Sequence, residues 1–361
     1  MLPTRLSWII LLPVVSALWA SAEIGCSSGE AVSTTANTSP AESTAPSDTA
    51  ATAPNGESNA TTTASEQDIV RAGATEIDIT GDWLSAGAGA VWLSDPQSST
   101  IYRLDTESGE TVATVAIPQG PCAASDFGLG ALWTETCDKA GLAKIDPRTN
   151  HVSAHLALPV GAVGEDGEAS VGAGEGAVWL VVGDKRCESC SVVRVDPRAL
   201  RVVARIPVRE GAAAVRVGEG GVWVTNPSKS IVQKIDPRTN RVVLTTQVGP
   251  TPRFLAVGEG GVWTLNQGDG SLTRLDPTSG EVLATIPAQV IGEGGDITTG
   301  DGSVWVRGSD FLLTSVDPGS NAIDTRYGPS SGSGAVIVAS GAVWVSAHAV
   351  SKVWRLPSSP H

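Results

Sequence analysis

Short apolar runs alternate with polar and glycine-rich turns from about residue 75 to residue 356. Within this pattern an aliphatic residue followed by tryptophan recurs seven times, at intervals of 41, 46, 44, 40, 42 and 39 residues. The recurring tryptophans are Trp92, Trp133, Trp179, Trp223, Trp263, Trp305 and Trp344. A period near forty residues, made of short strands and turns, is typical of β-propellers, in which each repeat forms one blade.

Each repeat contains four apolar runs, which we label A to D in chain order. In the fifth repeat they are residues 254–257, 261–265, 272–275 and 282–286, and run B carries the tryptophan. Successive side chains of a strand point to opposite faces. The tryptophan would therefore pack against one neighbouring blade and the aliphatic residues beside it against the other. The sequence predicts an all-β fold, a seven-bladed β-propeller of four-stranded blades.

The turns between the runs have their own pattern. Glycine-rich pairs such as Glu219-Gly220 separate runs A and B, where a tight hairpin needs positive φ. An aspartate ends run C in six repeats, at Asp105, Asp146, Asp196, Asp236, Asp276 and Asp317. Because this aspartate recurs at a turn position, usually before proline, we interpret it as a turn residue rather than a metal ligand or catalytic acid.

The seventh repeat shows runs A to C but no run D, whereas an extra run, residues 75–80, precedes the first run A. We expect this N-terminal strand to join the last blade as its outer strand. Such closure would leave no open edge within the ring. The propeller is predicted to span residues 71–357.

The N-terminal residues have a different character. Residues 1–25 resemble a signal peptide, with Arg5 followed by an apolar run too short to span a membrane. Cys26 is a candidate for lipidation, and cleavage after Ala22 by an ordinary signal peptidase is the alternative. Residues 26–70 are rich in Ser, Thr, Ala and Pro and predict a disordered linker. We expect an extracytoplasmic protein, either lipid-anchored to a bacterial membrane or secreted.

The net charge of the chain restricts the classes of partner that it is expected to bind. The 361-residue chain has 38 acidic and 24 basic residues, a net charge of −14. Binding to a nucleic-acid backbone or to anionic lipid requires clustered Lys and Arg, so both are disfavoured. We expect no membrane contact except through a lipid anchor, and a monomer.

Four cysteines remain besides Cys26. In an exported protein an even number first predicts disulfides, and we expect Cys122 to pair with Cys137 and Cys187 with Cys190. A zinc site formed by all four thiolates and a redox-active Cys187-x-x-Cys190 motif are the alternatives.

The repeats resemble those of the YVTN-type and virginiamycin B lyase-like (streptogramin lyase-like) seven-bladed propellers over residues 75–356. The stretches that carry the resemblance are Val222-Trp223-Val224-Thr225-Asn226 and Ile235-Asp236-Pro237-Arg238-Thr239-Asn240. The resemblance implies a bacterial propeller and, in the lyases, elimination that opens a macrolactone. The lyases carry a Pro-His pair at two strands A and a Glu after the last strand B. Here Arg253 follows Pro252, and His348 lies near the position of the Glu.

The resemblance also implies that the D–A and B–C loops form the binding face. Candidate ligand-binding residues on that face follow the tryptophans or occupy the D–A loops: Asp95, Asn226, Asn266, His348, Asp126, Glu168, Arg253 and Asp296. The alternative is that Asn226 and Asn266 cap turns. As loop residues, Asp95, Asn226, Asn266 and Arg253 would each contribute to binding, and truncation of any one would lower the folding stability by no more than about 0.5 kcal/mol. Because Arg253 can grip a carboxylate or phosphate, we expect a small ligand to be anionic.

Two functions follow from these observations. The first is a non-catalytic binding or scaffolding propeller of the cell envelope, which binds an unidentified protein or small ligand on its upper face without a cofactor or metal. The second is a divergent lyase that uses His348 with an upper-loop carboxylate. An axial cleft with His348 hydrogen-bonded to a carboxylate would favour the enzyme, and a polar face without that pair would favour binding.

Overall fold

The computed structural model of the protein describes residues 65–158, 171–183, 187–290, 292 and 294–358. The predicted signal peptide, Cys26 and most of the predicted linker lie outside these residues. No helix in the described part of the chain is long and apolar enough to cross a membrane.

The described residues form strands joined by short turns, with one short 3-10 helix, His348–Val350. In chain order the strands before the fourth blade are β1 (Ser65–Asp68), β2 (Thr75–Asp78), β3 (Leu84–Gly87), β4 (Ala90–Asp95), β5 (Thr100–Asp105), β6 (Thr111–Ala116), β7 (Pro121–Gly128), β8 (Ala131–Thr136), β9 (Gly141–Asp146), β10 (His151–Ala157), β11 (Val171–Gly174), β12 (Ala177–Val182), β13 (Ser191–Asp196) and β14 (Arg201–Pro207). The remaining strands are β15 (Val215–Gly218), β16 (Gly221–Asn226), β17 (Ile231–Asp236), β18 (Arg241–Gln247), β19 (Pro252–Gly258), β20 (Gly261–Asn266), β21 (Ser271–Leu275), β22 (Val282–Ile286), β23 (Asp296–Gly300), β24 (Ser303–Arg307), β25 (Leu313–Asp317), β26 (Ala322–Gly328), β27 (Val336–Ala339), β28 (Ala342–Ala347) and β29 (Lys352–Pro357).

These strands form seven sheets arranged in a closed ring. Six sheets have four strands and one has five. The strands A, namely β3, β7, β11, β15, β19, β23 and β27, contact one another in that order, and β27 contacts β3. The predicted seven-bladed β-propeller is therefore confirmed. In the seventh sheet, β2 pairs antiparallel with β29 as the outermost strand.

The seven strand-B tryptophans lie between the blades and are almost completely buried. In six of them the indole N–H donates to the carbonyl oxygen of a glycine that ends strand A of the same blade, as Trp223 does to Gly218 at 3.2 Å. Each of these six rings thus removes a large apolar area from water while its one polar group stays bonded, whereas the buried indole nitrogen of Trp344 has no partner among the described residues.

The turns have the geometry that the sequence predicts. All seven A–B connections in the described residues are two-residue turns with both residues at positive φ, such as Glu219 at 49° and Gly220 at 65°, which defines type I′ hairpins. At the C–D turns the aspartate carboxylate accepts the backbone N–H two residues on, at 2.8 Å from Arg238 to Asp236. This hydrogen bond is the main reason that the pKa of Asp236 is lowered.

Strand β1 was not expected. It runs parallel to β26, the outer strand of blade six, with Ser65 opposite Thr325. Ile69 follows it and is fully buried in the cluster that contains Trp305. Residues 65–69, which lie inside the predicted linker, therefore pair and pack with blade six. No apolar pattern marks β1, because its side chains are exposed. It pairs with β26 through backbone groups and through one side-chain contact, between the hydroxyls of Ser65 and Thr325 at 3.1 Å.

We call residues 65–78 the N-terminal clasp, because they pair with two blades. Strand β1 extends blade six, and strand β2 completes the sheet of blade seven. Ile69 and Ala74, between the two strands, pack in one cluster with Trp305 of blade six and Val343 of blade seven. The clasp thus bridges blades six and seven and covers the seam between them.

Both expected disulfides are present. Cys122 and Cys137 are joined with their Cα atoms 5.2 Å apart, and Cys187 and Cys190 with theirs 4.9 Å apart. The pairing confirms the disulfide prediction over the zinc alternative. Among the described residues there is also no group of three or more His, Cys, Asp or Glu side chains placed to hold a metal ion.

Candidate functional site

A cavity of about 550 Å³ opens on the face that carries the D–A and B–C loops. We call it the loop-face cavity. It lies where blades seven, one and two meet, and its lining residues are Thr80, Gly81, Asp82, Asp95, Pro96, Gln97, Pro121, Cys122, Ala123, Cys137, Asp138 and His348. The volume suits a small ligand or a few side chains of a partner.

Asp95, at the end of β4, is one of two predicted site residues in this lining. Its carboxylate is 5% exposed and accepts the backbone N–H of Gln97 at 3.1 Å and the Ser98 hydroxyl at 2.6 Å. Asp95 therefore fixes the B–C turn of blade one. It also brings negative charge to the edge of the cavity. The same residue therefore stabilises the turn and lines the cavity.

Asp82 enters the cavity from the segment before β3, and the backbone holds it on two sides. Its N–H donates to the carbonyl of Ser94 at 2.8 Å, and its carbonyl accepts the Ser346 hydroxyl at 2.5 Å. Blade one and blade seven thus position this residue together.

Arg307, at the end of β24, is a fully buried cation. Its Nε donates to the carbonyl of Ser346 at 3.0 Å, and a second guanidinium nitrogen donates to the carbonyl of Gly308. Burial lowers the pKa of Arg307 to about 10, while the negative charge of Asp82 opposes that change. At neutral pH the guanidinium is therefore charged and balances part of the acidic charge at the cavity.

The disulfide Cys122–Cys137 forms one wall. The N–H of Cys137 donates to the carbonyl of Gly120 at 2.8 Å, so the loop before β7 and the loop after β8 are held together by a covalent and a hydrogen bond. Asp138 follows directly and is exposed. The wall fixes the position of an acidic side chain that is otherwise at the surface.

His348 begins the 3-10 helix after β28, and its side chain is exposed. It lines the cavity together with Asp82, Asp95 and Asp138. Within the described residues His348 makes no hydrogen bond to a carboxylate. The paired acid and base that the lyase hypothesis needs is therefore not assembled here.

Asn226 and Asn266, the other two predicted residues that follow a tryptophan, are buried and fully engaged. The amide of Asn226 donates to the carbonyls of Arg209 and Glu210 and accepts the N–H of Lys229 at 3.0 Å. Asn266 donates to two hydroxyls and accepts a third, all at 2.9–3.0 Å. Asn226 thus holds the loop at Glu210 in place, Asn266 links strands β20 and β21, and neither lines the cavity.

Three predicted D–A loop residues lie instead in strands A. Asp126 is in β7, Arg253 in β19 and Asp296 in β23. The prediction placed them too early in the blade, because these strands begin before the apolar runs that mark them. Glu168 lies outside the described residues.

Asp126 and Asp296 take part in an axial cluster around Arg216 of β15. The guanidinium of Arg216 lies 5.2 Å from the centre of the Trp83 ring and 3.9 Å from Asp296 Oδ1. Burial raises the pKa of Asp126, and the charge of Arg216 opposes this rise. These charged groups fill the axis of the ring and do not line the loop-face cavity.

The cavity residues Asp82, Gln97 and Asp138 and the buried Arg307 were not among the expected site residues. Asp82 occupies the repeat position of Arg253, ten residues before the strand-B tryptophan, and Asp138 lies five residues after its tryptophan, as Asp310 does after Trp305. The residue type at both positions differs from blade to blade, so the repeat by itself did not single them out.

Fold and cavity together define a seven-bladed β-propeller with an acidic cavity on its loop face. No protein-family model matches the chain, and no curated protein sequence matches it. Among solved structures, the chain is similar to BamB from Moraxella catarrhalis, with a TM-score of 0.55 and 14% identity, covering 78% of this chain and 84% of that one. It is also similar to the Pan2 WD40 domain of Neurospora crassa, with a TM-score of 0.59 and 10% identity, covering 78% of this chain and 90% of that one. At such identities the likeness concerns the fold alone.

Proposed function

We propose that this protein is a non-catalytic, extracytoplasmic binding or scaffolding propeller that binds a partner protein at the loop-face cavity. The observation that carries the proposal is the lining of that cavity. Three carboxylates converge with His348 on a concave surface, without the hydrogen-bonded acid–base pair that catalysis would use.

The charge of the lining also changes the expected ligand. The expectation of an anionic ligand rested on Arg253, which is absent from the lining, whereas Asp82, Asp95 and Asp138 are present in it. We therefore propose that the partner presents a basic segment, whose Lys or Arg side chains complement these carboxylates.

The proposed location outside the cytoplasm has separate support. Two disulfides are the usual mark of an oxidising compartment. A lipid anchor at Cys26 would hold the propeller at the membrane through the Ser- and Thr-rich linker. Labelling with radioactive palmitate tests this anchor: wild-type protein should be labelled, and Cys26→Ala should not. An unlabelled wild-type protein would contradict the anchor without affecting the binding proposal.

Binding is tested by capture of partners from envelope extract on the mature protein. Asp138→Lys should lose the partner, because it reverses charge at an exposed position of the cavity. Glu219→Lys makes the same change in an exposed A–B hairpin on the opposite face and is the matched control. Equal capture by both variants would exclude the loop-face cavity as the binding site.

A divergent virginiamycin B lyase-like activity is the second candidate, because His348 and three carboxylates line one cavity. It predicts ring opening of a macrolactone that His348→Ala abolishes. Turnover that persists in His348→Ala would exclude His348 as its base.

A further inference from the structure

Five blades place a cation over their strand-B tryptophan. The cation comes from strand C, directly across the hydrogen-bonded pair of strands, and its charged group lies 4.7–5.2 Å from the centre of the indole ring. The pairs are Arg103 with Trp92, Lys144 with Trp133, Arg194 with Trp179, Lys234 with Trp223, and Arg274 with Trp263.

The same cations reach the next blade. Each donates to the backbone carbonyl of the proline in the C–D turn of that blade, over 2.5–3.0 Å. The three arginines also donate to the asparagine side chain of that turn. Blade seven repeats the donation without the proline, since Arg355 Nε donates to the carbonyl of Thr106 in blade one at 2.8 Å. A tryptophan ring and a turn carbonyl thus form a cation site at the seams between blades.

Blade six lacks this cation. Ser315 occupies the strand-C position opposite Trp305, and none of the ring–cation contacts among the described residues involves Trp305. The next turn is missing as well, because the outer strand of blade seven is β2 of the clasp and no C–D turn links it to β29. Trp305 is 6% exposed, whereas the other six strand-B tryptophans are at most 1% exposed.

A cavity of about 260 Å³ is present at this seam. We call it the seam cavity. Its lining residues are Gln67, Ala72, Ser303, Trp305, Ser315, Asp324, Thr325, Tyr327, Leu356, Pro357 and Ser358. It therefore lies between blade six, the end of blade seven and the clasp, where the other blades hold the strand-C cation.

The lining has the chemistry of a cation site. Trp305 and Tyr327 supply two aromatic rings with centroids 6.4 Å apart. Asp324 is exposed, and its carboxylate accepts the hydroxyl of Ser315 at 3.3 Å and that of Thr325 at 3.1 Å. Burial and the negative charge of Asp324 both raise the pKa of Tyr327, so its hydroxyl remains protonated. Aromatic faces beside a carboxylate attract a cation, and a positive charge is favoured further by the net charge of −14.

We propose that the seam cavity binds an organic monocation with a guanidinium or ammonium group, which takes the place of the missing strand-C side chain over Trp305. The site is separate from the loop-face cavity and does not depend on the proposed function. The cation can come from an Arg or Lys side chain of a partner, or from a free small amine or guanidine. Both sources offer the same group to the same ring and carboxylate.

The test is a titration of the full-length protein, with its tryptophan indoles labelled with 15N, monitored by NMR. Methylguanidinium is the probe, and methylurea, which has nearly the same shape without charge, is the control ligand. The indole N–H signal of Trp305, assigned from its loss in Trp305→Phe, should shift with methylguanidinium and stay in place with methylurea. Equal shifts with both ligands, or no shift with methylguanidinium, would overturn the proposal.

Two variants locate the site within the cavity. Asp324→Asn should weaken methylguanidinium binding about tenfold, because it removes the carboxylate and keeps the size of the side chain. Ser315→Arg should abolish binding, because it restores the cation that the other blades carry. Retention of wild-type affinity by both variants would contradict the site. A thermal melt of each variant checks that it is folded, and if Ser315→Arg does not fold, Asp324→Asn decides alone.

The other blades provide a positive control. Lys234→Ser removes the cation over Trp223 and should create a second methylguanidinium site, seen as a new shift of the Trp223 indole. The source is distinguished with a capped Gly-Arg-Gly peptide. A peptide that shifts Trp305 at lower concentration than methylguanidinium indicates a partner side chain, whereas a shift with methylguanidinium alone indicates a free small cation.

Discussion

At the scale of single residues, position in the repeat decides what each side chain does. Trp223 lies between blades, with its ring under Lys234 and its N–H bonded to Gly218. Asn226 lies three residues further on in the same strand, yet its amide holds the loop at Glu210. Asp95 and Asn226 both lie three residues after a strand-B tryptophan, but their roles differ. Asp95 lines a cavity, whereas Asn226 is buried.

Trp223→Ala should lower the free energy of unfolding by about 3–5 kcal/mol, because it leaves a cavity between two blades. Asn226→Ala should cost about 1–3 kcal/mol, since it removes the buried hydrogen bonds from its amide to the carbonyls of Arg209 and Glu210. This corrects the surface-scale cost of about 0.5 kcal/mol expected for a loop asparagine. Urea denaturation measures both values, and an Asn226→Ala protein as stable as the wild type would contradict the structural role.

Glu135, in β8, gives a prediction about pH. Its side chain is 1% exposed, and burial raises the pKa of its carboxyl well above the usual range. As pH rises above the unfolded pKa, the unfolded chain releases this proton while the folded chain keeps it, so stability falls with increasing pH up to the folded pKa. Glu135→Gln removes this loss and should raise the melting temperature more at pH 8 than at pH 4.

Differential scanning calorimetry at the two pH values measures this difference. Glu175→Gln, at an exposed hairpin position, is the matched control and should show no such dependence. If Glu135→Gln changes the melting temperature equally at pH 4 and pH 8, protonation of Glu135 does not contribute to the pH dependence of stability.

At the scale of elements, the strand-C cations join each blade to the next. Their aliphatic stems cover a tryptophan, and their charged ends bond to a turn of the following blade, so the turn sequence Asp-Pro-x-x-Asn acts beyond its own hairpin. This contact was not predicted, because the strand-C position and the turn it reaches are 43–53 residues apart in the chain. A single repeat, considered alone, offers no sign of it.

Arg194→Met tests this contact in blade three. Methionine keeps much of the apolar stem but removes the donors to Pro237 and Asn240, which lie 2.7 and 3.0 Å away. The expected loss is about 1–3 kcal/mol of stability, the cost of leaving part-buried acceptors unpaired. Arg198→Met, at an exposed turn position, should change stability by no more than about 0.5 kcal/mol. Equal effects of the two substitutions on stability would show that the inter-blade contact of Arg194 does not stabilise the propeller.

At the scale of the whole molecule, the sequence predicts the ring well and its seam poorly. The apolar period and turn residues recur in seven copies, so each blade supports the assignment of the others. The site depends on single residues such as Asp82 and Asp138, at repeat positions where the residue type differs from blade to blade. Strand β1 has exposed side chains and no apolar pattern, and the seam cavity exists because Ser315 and a missing turn break the repeat. The missing run D of the seventh repeat is visible in the sequence, whereas the cavity beside Ser315 is visible only once the repeats are placed in space.

The N-terminal clasp gives the prediction that concerns the whole ring. Deletion of residues 65–80 removes the fifth strand of blade six, the outer strand of blade seven and the buried Ile69 and Ala74. The exposed edge and the lost packing at one seam should lower the melting temperature of the entire propeller, because the blades unfold together only while the ring is closed. Deletion of residues 27–60, a tract poor in large apolar residues, should leave the melting temperature unchanged. Calorimetry of the two deletions and the wild type measures this effect, and a single transition at the wild-type temperature for the clasp deletion would show that the seam is held without it.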